Sequence, residues 1–565
     1  MKKIMLFVLA LCLCFTAFGA AFAETAAAEK PAAEMTAEEL YQAGQDAKDA
    51  EDYGKALEYY QLAADRGNAK GWRSIGSLYQ NGLGVEGDYA RAMEYYQRAA
   101  DQGDVGAIAN IGYLYDNGLG VKQDYDRALE YYRLAADQGY AAALYNIGLF
   151  YYLGKGVEQD YGKAVEYYQK AADLGDKMAT NNLGSMYENG QGVEQDYARA
   201  LEYYRQSADL NDVYGNASIG DMYRCGKGVE QDLIKAAEYF KKALEQGIDA
   251  PEILQAVNEL AVSLRQAGLD AFDTEDYGKA MEYYQLAADL GNAEGLRGIG
   301  YLYQYGLGVE KSYDKALEYY QLAADQGDTG AIVNIGAMYE GGLGVEQDYG
   351  KALEYYQKAA DMGDTDILGY IGYLYNMGLG AEQDYGKALE YYQKAADQGN
   401  EWVLYNIGLL YDKGYGVEQD YGKASEYYQK AADLGDVMAM NNLGCLYEMG
   451  EGVEQDYHQA LKYYRQAADL GTVLAYDNLG NLYRGGNGVE QDYAKALEYY
   501  SLAAEQGMPN AMFHIGECYG LGQGVKKDLD KAAKWYRRAL DAGYEPDEEE
   551  QARLKEVLGD EYQQK

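Results

Sequence analysis

Asp124-Tyr-Asp-Arg-Ala-Leu-Glu-Tyr-Tyr-Arg-Leu-Ala-Ala-Asp-Gln-Gly139 is followed by a dozen varied residues and a Gly-x-Gly-Val turn, and the pattern then begins again at Asp160. Its leading aromatic stands at Tyr53, Tyr89, Tyr125, Tyr161 and Tyr197, with Leu233 in sixth place. It resumes at Tyr277, Tyr313, Tyr349, Tyr385, Tyr421, Tyr457 and Tyr493, with Leu529 last. Every step is 36 residues except Leu233 to Tyr277, which is 44. A fixed period of this length marks an array in which each repeat is one supersecondary unit stacked on its neighbours. It overrides the several globular domains that 565 residues would otherwise suggest.

One unit divides into two helices. From Asp104, small or apolar residues fall at Ala107, Ile108, Ile111, Gly112, Leu114 and Tyr115, which is helical spacing, with Asp104 as the cap. Gly118 and Gly120 stop that helix, because glycine takes the positive φ of a helix end and a tight turn. Asp124 caps a second helix with Ala128, Leu129, Tyr132, Ala135 and Ala136 on one face, and Gly139 ends it. Short connections make the pair antiparallel. The chain is therefore expected to be all-α, with about 28 helices in 14 hairpins, a C-terminal cap and no sheet, and to be elongated because contacts reach only neighbours.

Two blocks are visible. Residues 51–86 and 275–310 differ at only seven of 36 positions. The long step has the same origin. Leu40-Tyr-Gln-Ala-Gly44 matches Leu264-Arg-Gln-Ala-Gly268, and each runs into Glu-Asp-Tyr-Gly-Lys-Ala without a Gly-x-Gly loop. Residues 36–50 and about 252–272 are thus predicted to be single helices that turn sharply at Glu-Asp, with Pro251 suited to a helix start. The expected organisation is a signal peptide over 1–23, a flexible leader over 24–35, a first block of six units over 36–247, a second block of eight over 248–545, and a capping helix over 546–565 with Leu554, Val557 and Leu558 on its apolar stripe.

The signal reading rests on Lys2 and Lys3, the apolar run Ile4 to Phe18, and Ala21-Phe22-Ala23 as a small-x-small cleavage site. It implies a periplasmic, secreted or cell-surface protein with no membrane insertion after cleavage. Cleavage leaves Cys225, Cys445 and Cys518, an odd number in different repeats, which argues against a disulfide framework and reads Cys445 and Cys518 as small core residues. The formal charge of −43 argues against nucleic acid and anionic membrane surfaces as partners; it keeps a long array soluble, with attraction of a basic partner as the alternative.

The string Leu/Ile-Gly-x-x-Tyr, Gly-x-Gly-Val, Asp-Tyr-x-Lys-Ala runs unbroken through Ile147-Gly148, Tyr151, Gly154-Lys-Gly-Val157, Asp160-Tyr161 and Lys163-Ala164. It recurs at Ile407-Gly408, Tyr411, Gly414-Tyr-Gly-Val417 and Asp420-Tyr421. Over residues 50–545 it closely resembles the SEL-one-like repeat family, while the two loop-less opening units look more like the related tetratricopeptide repeat. The resemblance implies an α-solenoid superhelix and a role as adaptor or scaffold in protein complexes, often at the bacterial envelope or in host contact. Disulfide-stapled members of the family bind or hydrolyse β-lactams; this chain lacks their cysteine pairs, and those functions are not carried over.

No catalytic constellation, metal set or cofactor motif is expected. His458 and His514 are the only histidines, and Cys518 near His514 is the only Cys-His neighbour on one helix. The Gly-x-Gly-Val loops lack the Lys-Ser/Thr of a phosphate loop and the dense oxygen ligands of a calcium loop, although Gly-Val-Glu-Gln-Asp leaves weak Ca2+ binding open. Adjacent tyrosines such as Tyr59 and Tyr60 point about 100° apart on a helix, so one packs inside and the other covers an edge.

Variation among the repeats is concentrated in the first helix. Arg73, Tyr145, Asn181, Arg297, Val333, Tyr405 and Phe513 share one slot. Ser77, Tyr113, Leu149, Asp221, Tyr301, Tyr373 and Leu409 share the slot four later, and Gln80, Asp116, Tyr152, Glu188, Arg224, Asp412 and Arg484 the slot three beyond. This spacing puts all three on one face. By resemblance to tetratricopeptide arrays that face lines a concave groove. Arg73, Tyr113, Tyr145, Leu149, Tyr152, Arg297, Tyr301, Tyr373, Tyr405 and Leu409 are its candidate binding residues. The partner is expected to be a protein or peptide, with a carbohydrate or cell-wall glycan stacked on the tyrosines as the alternative and an envelope hydrolase as the third reading.

Overall fold

The computed structural model describes residues 31–559. The expected signal segment and residues 24–30 and 560–565 lie outside the described residues. Within 31–559 there are 29 α-helices, one 3-10 turn and no strand; first helices pair antiparallel with second helices, and second helices pack on the first helix of the next hairpin, as an α-solenoid of about fourteen hairpins with a terminal helix.

The unit beginning at Asp104 shows how each hairpin forms. Asp104 Oδ1 accepts from Ala107 N at 2.7 Å and starts the helix Val105–Asn117. Gly118, at φ 67°, closes that helix by donating to Leu114 O. Asp124 Oδ1 then accepts from Arg127 N at 3.0 Å and starts the helix Tyr125–Ala136. The Gln that precedes the capping Asp clips the loop shut: Gln123, Gln159 and Gln195 donate Nε2 to the carbonyls of Asp116, Tyr152 and Glu188 at 2.7–2.8 Å. The loop motif thus has a structural purpose, with its Asp occupied by helix amides and its Gln by a carbonyl.

Two glycine contacts hold the layers together. Inside a hairpin, the first-helix glycine receives the ring of the second-helix tyrosine. A Cβ on Gly184 would lie 2.5 Å from the Tyr204 ring, and one on Gly480 would lie 2.4 Å from Tyr500. The rings so received at Tyr60, Tyr96, Tyr132, Tyr168 and their successors are fully buried. Between hairpins, the second loop glycine lands on the leading tyrosine of the repeat before. A Cβ on Gly156 would meet Tyr125 Cβ at 2.5 Å, and one on Gly228 would meet Tyr197 Cβ at 2.4 Å. The first tyrosine of each pair stacks on a first-helix tyrosine, as Tyr131 does on Tyr115 at 5.8 Å, and Arg127 lies 5.4 Å over that ring.

The described residues divide into two compact units, residues 31–264 with 289–291 and residues 265–288 with 292–559. In the first, a series of smaller clusters follows the repeats; in the second, one continuous core runs from Leu296 to Leu558. The opening helices are Ala37–Asp49 and Pro251–Asp273, and the chain turns after each through Glu51 and Glu275 at φ 60° and 61°. Residues 31–35 depart from the flexible leader predicted for them. Ala32–Glu34 form a 3-10 turn, and the Arg66 guanidinium donates to the carbonyls of Met35 and Ala33, which holds this segment on the first hairpin. At the other end the helix Glu548–Leu558, started by a capping box of Asp547 and Glu550, buries Leu554 and Leu558.

The Gly184–Tyr204 contact has a direct test. Gly184→Ala is expected to lower stability by about 1–3 kcal/mol, the usual cost of overpacking, because the Tyr204 ring is held by its hydroxyl bond to Glu188 and has nowhere to move. Urea denaturation followed by helix content measures it, and an unchanged midpoint would show that the ring yields.

Candidate binding face

The three variable slots of the first helix separate once side chains are placed. Slot two is the open one: Tyr113, Tyr301 and Tyr373 are exposed, and Leu149 and Leu409 are half-buried. Slot one is mostly occupied inside the fold. Tyr145 packs on Tyr168 with ring centroids 5.8 Å apart, and Tyr405 packs on Tyr428 in the same way. Burial raises both phenols. Arg73 pairs with Asp104 at 2.9 Å and Arg297 with Asp328 at 3.0 Å, in each case the cap of the next first helix. Phe513 is fully buried and stacks on Tyr544 at 4.4 Å. The spacing puts slot one on the groove face with the other two, but its tyrosines belong partly to the helix-helix core, because their rings lie against those of Tyr168 and Tyr428.

Slot three has a structural duty. In several hairpins the buried tyrosine sixteen residues on donates its hydroxyl to this slot: Tyr96 to Gln80 at 2.8 Å, Tyr204 to Glu188 at 2.7 Å, Tyr320 to Gln304 at 2.7 Å and Tyr464 to Glu448 at 2.7 Å, while Tyr500 donates to Asn481 of slot two at 2.7 Å. Any side-chain acceptor suffices, so Gln, Glu and Asp interchange there without a ligand being read. Tyr152 is an exception in this slot; its ring packs 5.4 Å from Tyr161 and its hydroxyl donates to Gln191 at 3.4 Å.

The second compact unit adds a cavity to the slot-two face. It has a volume of about 250 Å3, with Leu269, Phe272, Tyr284 and Tyr301 as apolar walls and Arg265 and Arg297 at its edge. Phe272 meets Tyr301 edge-on at 5.6 Å, and Tyr305 lies 4.5 Å from Tyr301. Arg265 is paired with Glu294 at 3.1 Å. Gly298 keeps the Tyr284 face open, since a Cβ there would come within 2.8 Å of the ring. Arg297 and Tyr301 were legible as site residues. Arg265, Phe272 and Tyr305 were not, because Arg265 and Phe272 lie on the long opening helix outside the three slots and Tyr305 at the loop end of the first helix.

The one Cys-His neighbourhood is structural. His514 Nδ1 faces Arg484 at 3.3 Å and Glu517 at 3.4 Å, Arg484 pairs with Glu517 at 2.6 Å, and Arg553 of the terminal helix joins the same carboxylate. Cys518 is buried and its thiol is pushed up to about 11 by that burial, the reverse of an activated nucleophile. No helix among the described residues is long and apolar enough to cross a membrane.

A family model described as Sel1 repeat matches fourteen stretches that together cover most of the chain, from 31–68, 74–104, 105–140 and 141–176 through to 473–508 and 509–544. The chain belongs to the Sel1 repeat family. The two opening units, 31–68 and 255–292, match the same model, so their likeness to tetratricopeptide repeats gives way to a Sel1 assignment. Proteins of this family are in general non-catalytic scaffolds for protein interaction. Among solved structures, c5321, a protective antigen of uropathogenic Escherichia coli with an SLR fold, is 32% identical; the match covers 83% of this chain and 94% of that one, with a TM-score of 0.39. A Sel1 repeat protein from Oxalobacter formigenes is 33% identical over 42% of this chain and 96% of its own, with a TM-score of 0.36. The immunity protein Pa5087 from Pseudomonas aeruginosa is 26% identical over 38% of this chain and 82% of its own, with a TM-score of 0.24. No curated protein matches.

The slot assignments predict different costs on truncation. Tyr145→Ala and Tyr405→Ala should each lower stability by about 2–4 kcal/mol as buried ring contacts are lost, whereas Tyr113→Ala and Tyr373→Ala should stay within about 0.5 kcal/mol. Equilibrium unfolding of the four variants decides this, and equal losses would mean that slot two is also core.

Proposed function

We propose that the protein is an exported, non-catalytic scaffold that grips a partner protein along the slot-two face of its first helices. The observation that carries this reading is the cavity at Phe272 and Tyr301, an apolar recess framed by charged side chains on the only variable slot whose tyrosines stand open. A recess of about 250 Å3 has room for one large apolar side chain of a partner. Arg265 and Arg297, already held by Glu294 and Asp328, frame it as a polar rim. Anchors of this kind, an aromatic-walled pocket with a rim that excludes water, gather most of an interface's energy, about 2 kcal/mol or more each. Tyr373 extends the face within the same unit, and Tyr113 holds the equivalent open slot in the first unit. Tyr145, Leu149, Tyr152, Tyr405 and Leu409, half-buried beside it, shape its floor.

Export is supported by the amino-terminal sequence pattern. In a host that recognises such signals the mature chain should begin at Glu24; amino-terminal sequencing of the exported fraction tests this, and a chain still carrying Met1 would overturn it.

For binding, partners captured from the native envelope or secreted fraction by the wild-type chain should be lost, or bound at least tenfold more weakly, by the triple variant Tyr113→Ala, Tyr301→Ala, Tyr373→Ala, with unfolding unchanged. Retention of every partner by that variant would remove the slot-two face from the function. Loss of a glycan from an array screen, with protein partners retained, would assign the face to carbohydrate.

A further inference from the structure

A second surface lies at the edge of the array, where each second helix ends and the next first helix begins. In the second compact unit Trp402, Leu434, Met438, Leu470 and Leu474 stand there, 36% to 60% exposed. Leu434 and Leu470 are the residues that close the second helices Tyr421–Asp433 and Tyr457–Asp469, and Met438 and Leu474 lie in the first turns of Val437–Met449 and Val473–Gly485. Antiparallel packing sets the end of a second helix beside the start of its own first helix, so Trp402, before Val403–Lys413, joins the same edge. The five residues follow one another along three successive hairpins.

The fold does not require apolar side chains here. The closing position holds Arg66, Gln102, Gln138, Gln326, Gln398 and Gln506 in other repeats, and the first-turn position holds Lys70, Gly106, Glu294 and Asn510. Yet the first compact unit carries the same set 260 residues earlier, at Leu174, Met178, Leu210 and Tyr214, all exposed. Adjacent turns touch there: Lys177 Nζ donates to Asn211 O at 3.2 Å and Ser207 Oγ donates to Lys177 O at 3.1 Å. Contiguous exposed apolar side chains that folding does not require mark an interaction surface.

The charge around these side chains indicates the occupant. In the second unit the turn segments 398–402, 433–438 and 469–474 contain Glu401, Asp433, Asp436 and Asp469 and no Lys or Arg. In the first unit Asp173, Asp176 and Asp209 flank the stripe against the single cation Lys177. A second copy of a chain of net charge −43 meets like charge at this edge, and so does an anionic membrane. A segment with an apolar face and Lys or Arg beside it meets complementary charge.

We propose that each compact unit carries, on this edge, a docking stripe for a basic amphipathic segment of a partner protein, separate from the slot-two face. The probe is a synthetic amphipathic helix built from Leu and Lys, titrated into the full mature chain by calorimetry. Two equivalents should bind. Leu434→Gln with Leu470→Gln should remove one, and adding Leu174→Gln with Leu210→Gln should remove the other, with helix content and unfolding midpoint unchanged. Asp433→Asn with Asp469→Asn should weaken the second-unit site at least threefold, and the triple variant at Tyr113, Tyr301 and Tyr373 should keep both sites. A scrambled Leu and Lys peptide that binds equally, a Leu and Glu helix that binds equally, or undiminished binding by the four-residue variant would each overturn the proposal. So would sedimentation showing that the wild type self-associates and the variant does not, which would give the stripe to a second copy.

Discussion

The contact on which this fold depends is a tyrosine ring pressed against a glycine. Gly76 with Tyr96, Gly148 with Tyr168, Gly300 with Tyr320 and Gly444 with Tyr464 repeat the same arrangement, with a would-be Cβ only 2.6–2.7 Å from the ring. The absent side chain lets the two helices of a hairpin close on an aromatic plate, and the plate supplies the buried area that a helix of thirteen residues cannot gather from Ala and Leu alone. In several hairpins its hydroxyl donates to a polar residue of slot three, as Tyr204 does to Glu188 and Tyr464 to Glu448. The second glycine contact, loop against leading tyrosine, links one hairpin to the one before. With both contacts in place the repeat length follows: a change in loop length would carry the second glycine off its tyrosine.

Much of this was legible in the sequence because it repeats. The helix pairs, the Asp caps, the glycine stops and the sharp turns at Glu51 and Glu275 follow from local chemistry that each repeat states again. Fourteen units and the family could be named from period and motif. What stayed hidden involves contacts between repeats. Gly156 reads as a turn residue, and nothing in its neighbourhood says that Tyr125, 31 positions earlier, lies beneath it. Gln159 reads as loop polarity, and its bond to the Tyr152 carbonyl requires the closed loop. Variation was also ambiguous in principle. A slot that tolerates Gln, Glu or Asp because a hydroxyl can donate to any of them looks, in one sequence, like a slot that varies to read a ligand. Only side-chain placement separates Glu188, bonded to Tyr204, from Tyr301, open beside the cavity.

The acidity of the chain has two sources that act at different places. One is structural and recurs: Asp at the start of nearly every second helix accepts the amide three residues on and in most cases pairs with the Lys or Arg there, as Asp160 does with Lys163 at 3.4 Å. These pairs are exposed, so they contribute little to stability and much to solubility. The other stands at the close of the second helices, where an acidic residue also recurs, as at Asp101, Asp173, Asp433 and Asp469. Gln429 Nε2 donates to Asp433 Oδ1 at 2.7 Å, so this carboxylate also serves its own helix.

The two blocks also show how an array of near-identical units acquires distinct sites without altering its frame. Tyr41 lies over the Tyr60 ring at 5.9 Å, and the matching residue of the second block is Arg265, held by Glu294. Ser74 is matched by Gly298 and Ser77 by Tyr301. Removing a ring from above the core tyrosine, removing a side chain beside it and adding a ring at the rim together open the cavity, while the Gly–Tyr contact below it is untouched, as Gly44 on Tyr60 and Gly268 on Tyr284 both place a Cβ 2.5 Å from the ring. The constraint that fixes the backbone thus leaves the residues one turn away free to diverge. The positions the interlock does not use, on the open slot of the first helices and at the turns along the edge, are those where the side chains of such a chain can differ without cost to its frame.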